Sequence, residues 1–267
     1  MKVLVIDVGG THVKVRANDR GEPREVASGA RMTARRMVKA VRELAADWSY
    51  AAVSIGYPGL VVHGRIVAEP KNLGAGWVGF DFAAAFERPV KIVNDAAMQA
   101  LGSYGGGRML FLGLGTGLGS AMIVDGRIEP MELAHLPYRK GRSYEDYLGA
   151  RGLARLGAAR WRRHVLSVIG LLRAAVEPER VVVGGGNAKR LRRLPDGVEL
   201  GSNADAFTGG FRLWEGPRPG PTVAEAAHAP TPRYARARGV VAARRDARRR
   251  SAAPLVLDAD REVGPFP

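Results

Sequence analysis

Short apolar runs rich in β-branched side chains alternate along most of this chain with longer stretches of helical period. Residues 3–6 (VLVI) read as a strand, and residues 13–16 resume an apolar–polar alternation that reads as a second. Asp7 closes the first run and Gly9, Gly10 and Thr11 lie between the two, so the opening reads as a hairpin with a glycine turn. Residues 31–48 place Met37, Val41, Leu44 and Ala45 on one helical face. Residues 51–55 read as a strand ending in the turn signal GYPG, and residues 61–62 and 66–67 flank His63-Gly64-Arg65 as a small hairpin. A short helix over 82–86 precedes Pro89, a strand over 90–93 ends on Asn94-Asp95, and residues 96–102 look helical. After Gly105-Gly106-Gly107 the pattern begins again. A strand over 109–114 meets GTGLG, a strand over 120–124 follows, and Asp125-Gly126 turns tightly into residues 127–128. Residues 144–172 are largely helical in period, and a strand over 180–183 runs into Gly184, Gly185 and Gly186.

Strands alternating with helices predict an α/β protein. A glycine-containing hairpin early in each half predicts two related lobes facing each other, residues 1–104 and 105–215. From Gly216 the chain becomes rich in Pro, Ala and Arg without a clear period, a composition that should not pack a core. Residues 216–267 are therefore expected to form a low-complexity, disordered basic tail, with residues 255–257 its one strand candidate.

Length and composition narrow the class. At 267 residues, 46% hydrophobic and 25% charged, the chain suits one large domain or two lobes of a soluble protein. It has no apolar run long enough to span a bilayer, and a strand that begins at once leads us to expect no signal peptide. Zero cysteines exclude disulfides and thiolate metal sites and are compatible with a cytoplasmic location. The formal charge is +15, and the ten arginines and five acids after Glu215 account for +5, leaving +10 on the other 215 residues. Such a surface attracts polyanions.

Several stretches carry candidate chemistry. Backbone N–H groups of a glycine turn bind phosphate without side-chain obstruction, and Thr11 adds a hydroxyl while Lys14 or His12 adds charge. Asp7 is placed to hold Mg²⁺ through water. The stretch is neither a P-loop nor a Rossmann fingerprint, and an ordinary hairpin fits it equally. GLGTGLGS repeats the idea: Gly113, Gly115, Gly117 and Gly119 alternate and would clear one face of a hairpin for a ligand. The turn after residues 181–183 stands where α/β lobes commonly bind a nucleotide. Asn94-Asp95, between a strand and a helix, fits an N-cap and also a carboxylate that takes a hydroxyl proton during phosphoryl transfer. Glu132 and His135, three apart, face the same side of a helical turn and suit a polyol or a metal. Glu145 fits a first-turn helix acid and Asn72 a turn residue.

Together, IDVGGTHVKV, GYPGLV, PKNLGAGW, IVNDA, LGLGTGLGSAMIVDG, ELAHL and VVVGGGNAK resemble the ROK sugar kinases of the actin-like ATPase superfamily, in particular the bacterial polyphosphate/ATP glucokinases. The seven pieces occur in the family's order over residues 1 to 214. The resemblance implies two actin-like (ribonuclease H-like) lobes around a cleft. It makes Asp7, Gly9, Gly10, Thr11 and Lys14 the first phosphate hairpin, Gly115, Thr116 and Gly117 the second, and Gly184, Gly185, Gly186 and Asn187 the adenosine-side loop. It makes Asp95 the base for the sugar 6-hydroxyl, and Asn94, Glu132, His135 and Glu145 sugar ligands, joined by Asn72. Three features depart from the family. Ala134 replaces a usual glycine before the histidine, which would crowd the sugar; the cysteine-rich zinc motif of many members is absent; and the tail after Glu215 matches nothing in the family.

The resemblance thus implies a cytoplasmic glucokinase that uses Mg²⁺ with ATP or polyphosphate as donor and glucose or a related hexose as acceptor. It would have no structural zinc, no membrane and no specific nucleic acid, and would act as a homodimer. The alternatives are a sugar-responsive regulator, which would carry a helix-turn-helix ahead of the first strand where none is expected here, and a non-catalytic sugar or polyphosphate binder.

Overall fold

A computed structural model describes residues 1–19 and 21–215. The expected tail over 216–267, with its strand candidate, lies outside the described residues.

The first half contains strands β1 (Val3–Val8), β2 (His12–Ala17), β3 (Arg24–Ala27), β4 (Ala52–Tyr57), β5 (Val61–Val62), β6 (Arg65–Ile66) and β7 (Val90–Asn94). Its helices are α1 (Ala34–Leu44), α2 (Phe82–Phe86) and α3 (Asp95–Ser103). The second half contains β8 (Arg108–Leu114), β9 (Leu118–Val124), β10 (Arg127–Met131), β11 (Arg180–Gly184) and β12 (Val198–Leu200). Its helices are α4 (Tyr144–Leu148), α5 (Ala150–Val176) and α6 (Asp205–Arg212). Two 3-10 turns, Leu133–His135 and Ala188–Arg190, complete it.

Two five-stranded sheets share one topology. The first runs β3-β2-β1-β4-β7 and the second β10-β9-β8-β11-β12. In each, three strands pair antiparallel as a meander and the remaining two add in parallel. This is the repeat that the two glycine hairpins predict.

The two sheets exchange helices. On one face the first sheet buries Leu4, Ile6, Val13 and Val15 with Met37, Val38 and Val41 of α1. On its other face Val3, Val5 and Ala52 meet Ala206 and Phe207 of α6, a helix that follows β12 of the second sheet. The second sheet buries Leu110, Leu112, Val181 and Val183 against Trp161, Val165 and Ile169 of α5. Its other face packs Met109, Phe111, Ala121 and Ile123 on Ala96, Ala97 and Ala100 of α3, which follows β7 of the first sheet. The crossed helices α3 and α6 approach through glycine: a Cβ on Gly102 would strike the Asp205 backbone, and one on Gly209 the Met98 carbonyl. Buried Ser54 on β4 fastens the crossing, its Oγ donating to the Gly210 carbonyl (2.6 Å) and accepting from Trp214 Nε1 (2.9 Å).

The helix expected over 31–48 occupies Ala34–Leu44, because Thr33 caps it by accepting from the Arg36 N–H (3.3 Å). The helix expected over 144–172 is broken twice. Gly149 ends α4, and Gly157 within α5 takes φ 72°, ψ 157°, a conformation open to glycine. β3, β12 and α6 are absent from the sequence reading. β3 and β12 are edge strands with exposed residues, and α6 (DAFTGGFR) holds two glycines that weaken helix propensity.

Candidate functional site

The site is assembled at the C-terminal ends of parallel strands, where open α/β sheets bind ligands. Asp7, near the end of β1, lies in register with Gly56 of β4, and Gly56 with Val93 of β7. A Cβ on Gly56 would stand 3.5 Å from the Asp95 Cα, so bare backbone separates the two aspartates. Asp95 opens α3, and Asn94 caps that helix: its Oδ1 accepts from the N–H groups of Ala96 (2.9 Å) and Ala97 (3.2 Å). Asn94 Nδ2 donates to the Gly59 carbonyl (3.1 Å), tying the GYPG turn to the strand end. Both ends of this amide are therefore engaged by the protein, which fixes the direction of the next residue, with one N–H of Nδ2 left over.

The electrostatics single out one side chain. Burial, first, and then repulsion from Asp7 and Glu132 push the Asp95 carboxyl from an ordinary value of 3.8 up to about 7, although the Ala96 N–H works the other way. Burial also raises Asp7, while Lys14, its partner across the β1–β2 hairpin, lowers it. Asp7 and Glu132 thus both act on the Asp95 carboxyl.

The first glycine turn is tight. Gly9 N–H donates to the His12 carbonyl (2.9 Å), an approach that a Cβ on Gly9 would obstruct. Ser28 braces it, with Oγ on the Gly9 carbonyl (2.5 Å) and N–H on the Thr11 carbonyl (2.8 Å). Thr11 and His12 stand exposed at its tip. Asn72 lies beside this turn, its Cβ 3.6 Å from where a Gly10 Cβ would be. Its loop is shaped by Glu69, which accepts from the N–H groups of Trp77 and Val78 (3.2 Å each). Ser28 and Glu69 escape sequence reasoning because their partners are backbone groups of other segments, although the acid within AEPKN was a usable signal.

The second and third glycine turns are stitched together. Gly115 N–H donates to the Gly117 carbonyl (3.1 Å), and the carbonyls of Gly115 and Thr116 accept from Ala150 at the start of α5 (3.1 Å each). Asn187 donates through its N–H to the Leu114 carbonyl (2.9 Å) and through Nδ2 to the Gly115 carbonyl (3.2 Å). Gly185, at φ 82°, lies against the Leu114 backbone. A recess of about 150 Å³ beside Gly185 and Gly186 is lined further by Ala188, Lys189, Leu200, Gly201 and Asn203. The expectation that alternating glycines clear a ligand face is corrected in part. Gly119 makes room for Ala96 of α3, Gly117 for the Glu145 carboxylate, and Gly113 lies close to Phe111. Of these four, Gly115 alone has open space where its Cβ would be.

Glu145 is brought to the second turn, where Oε2 accepts from the Leu118 N–H (3.3 Å) and Oε1 lies 3.7 Å from Arg151. Glu132 and His135 stand exposed, with His135 Nε2 and Glu132 Oε1 3.9 Å apart. Ser120 Oγ holds their turn, donating to the Met131 carbonyl (2.8 Å) and accepting from the Leu133 N–H (3.2 Å). Ala134, the residue expected to crowd the sugar, is buried in the core of the second sheet. Among the described residues, no group of three or more His, Cys, Asp or Glu is placed to hold a metal ion. A Mg²⁺ ion would therefore rest on Asp7, water and the donor's own oxygens, the usual arrangement for this ion.

Comparison with known proteins bears on this geometry. Residues 3–130 match the ROK family. They are a ROK family domain. Within and beyond that domain the chain is 26% identical over 210 residues to the polyphosphate glucokinase of Mycobacterium leprae (strain TN), covering 70% of this chain and 64% of that protein. Against the polyphosphate glucokinase of Mycobacterium tuberculosis (strain H37Rv) it is 26% identical over 207 residues, 69% and 77% of the two chains. The solved inorganic polyphosphate/ATP-glucomannokinase of Arthrobacter sp. strain KM superposes with a TM-score of 0.68 at 27% identity, over 78% of this chain and 96% of that one. A ROK family glucokinase from Streptomyces griseus, solved with glucose and AMPPNP, has the same fold, at TM-score 0.65 and 19% identity over 80% and 99%. The described residues thus have the two-lobed, actin-like fold of ROK sugar kinases. No helix among the described residues is long and apolar enough to cross a membrane.

Proposed function

We propose that this protein is a hexose kinase that moves a phosphoryl group from polyphosphate or ATP to the 6-hydroxyl of glucose. The observation that carries this reading is the Asp95 carboxyl, held at the mouth of β7 by the Asn94 cap and raised to about 7 beside Asp7. A base poised near neutral pH is matched to taking a proton from an alcohol. In the step, the sugar O6–H proton passes to an Asp95 oxygen, O6 bonds to the terminal phosphorus, and the bond from that phosphorus to the departing phosphate breaks. Mg²⁺ would supply charge neutralisation at the donor oxygens. Asp7 would hold that ion through water and Lys14 would add charge. Gly9, Gly10 and Thr11 on one side, and Gly115, Thr116 and Gly117 on the other, would offer N–H and hydroxyl donors to phosphate. Gly184–Asn187 would flank the donor's far end. Glu132, His135, Glu145, Asn94 and Asn72 would orient the sugar, the first two as exposed acceptors at the lip. The division at 104/105 and a homodimeric assembly belong to the same proposal.

The test is a coupled assay of the full chain with Mg²⁺ and a panel of hexoses, run with ATP and with polyphosphate. Glucose 6-phosphate should form, and Asp95→Asn should lower turnover by about 10²–10⁴-fold while glucose still binds. Near-parental turnover in that variant would remove the base from Asp95, and no product from any hexose with either donor would remove the kinase.

A further inference from the structure

Immediately after the Gly184–Asn187 loop the chain carries Lys189, Arg190, Arg192 and Arg193 within five residues. The buried Leu191 pins this segment into the core of the second sheet, and all four cationic residues are exposed around that anchor. Arg162 of α5 joins them, its Nη1 donating to the Arg190 carbonyl oxygen at 3.5 Å.

Among the described residues none of Lys189, Arg190, Arg192 and Arg193 forms an ion pair, whereas Lys2, Arg24, Arg151 and Arg180 each do. The acids of the neighbouring strand and helix are already engaged. Glu199 is bound by Arg180 (2.7 Å), and Asp205 accepts from Ser103 Oγ (2.8 Å) and the Ser202 N–H (2.7 Å). Four exposed cations within five residues make this turn attractive to a polyanion. The segment is also continuous with the phosphate-binding turns: Asn187, two residues before Lys189, is bonded to Gly115. Lys189 itself lines the recess of about 150 Å³ beside Gly185 and Gly186.

We propose that Lys189, Arg190, Arg192 and Arg193 form a track for linear polyphosphate, holding the phosphates that trail behind the one presented to the glycine turns. A linear polyphosphate offers repeated charges along one line and needs no pocket for a base. Single-stranded nucleic acid, in contrast, is gripped through aromatic stacking platforms, and residues 184–203 contain no aromatic residue. The role as a donor track rests on the kinase reading; binding itself does not.

The experiment uses the full chain and its triple variant R190Q/R192Q/R193Q, which share the same basic tail, so any difference reports on the track. End-labelled long-chain polyphosphate is titrated by fluorescence anisotropy at several salt concentrations. The variant should bind about tenfold or more weakly, and its slope of log K against log salt should be shallower by about two units. In the coupled assay its KM for long-chain polyphosphate should rise by a similar factor, while KM for tripolyphosphate and for ATP moves far less. Equal affinity and slope in the two proteins would overturn the proposal. So would an equal loss with ATP and with polyphosphate, or a labelled oligoribonucleotide that binds more tightly than polyphosphate and is released by the same three substitutions. If no donor supports phosphorylation the kinase reading falls, and the anisotropy titration still decides the track.

Discussion

At the scale of single residues, Asp95 occupies a place that disfavours its own charge. Its carboxyl is raised from 3.8 to about 7 chiefly by burial, then by Asp7 and Glu132. The folded state therefore binds this proton more tightly than the unfolded chain. Between about pH 4 and pH 7 stability falls as pH rises, and above the folded value the full penalty is present. Asp95→Asn removes the charge but keeps an oxygen for the Ala96 N–H. Without Mg²⁺ it should raise Tm at pH 8 by about 3 °C or more and change it little at pH 4, which differential scanning calorimetry at the two pH values would show. An unchanged Tm at pH 8 would mean that the carboxylate is better solvated than its position implies. The aspartate itself was legible in the sequence, as a capping or catalytic residue after a strand. Its neighbours were not, because Gly56 and Glu132 reach it only through strand pairing and a turn from the other lobe.

At the scale of elements, glycine does opposite things in two helices. In α6, a Cβ on Gly209 would run into the Met98 carbonyl and the Gly102 backbone, where α3 crosses. Gly209→Ala should destabilise by about 1–3 kcal/mol, read as a lower urea midpoint at constant m-value. In α5, Gly170 is exposed and a Cβ there would meet nothing within 4 Å. Gly170→Ala should stabilise by about 0.5–1 kcal/mol in the same titration. If both substitutions were neutral, helix crossing would not be what holds glycine at 209. Strong periodicity made α1, β1, β4 and β8 readable, because each presents an apolar face to its own lobe. The helix over residues 205–212 was unreadable, since its reason for being helical is a groove supplied by α3 and β1.

At the scale of the whole molecule, α3 and α6 each leave one sheet to pack on the other, so the halves are coupled through helices and one buried hydroxyl. Ser54→Ala would strand the Gly210 carbonyl and Trp214 Nε1, both bonded to that oxygen. It should cost about 1–3 kcal/mol and shift the fluorescence of Trp214, while a variant as stable as the parent would show that water replaces the hydroxyl. Chelation acts differently. Among the described residues no cluster of three ligands exists to knit the fold, so EDTA should abolish phosphorylation with either donor and leave Tm within about 2 °C. Activity that survives EDTA would remove Mg²⁺ from the mechanism.

The amino-acid order alone determined the alternation of strands and helices, the duplicated glycine hairpins, the absence of thiol chemistry and the motif series over residues 1–214, because these depend on period, composition and near neighbours. Only the tertiary structure decided that Asp7 and Glu132 both act on the Asp95 carboxyl, that Gly117 and Gly119 serve protein packing, and that the two sheets trade helices. Each of these depends on groups far apart in the chain. Their interaction is a function of distance in space, which local propensity does not encode.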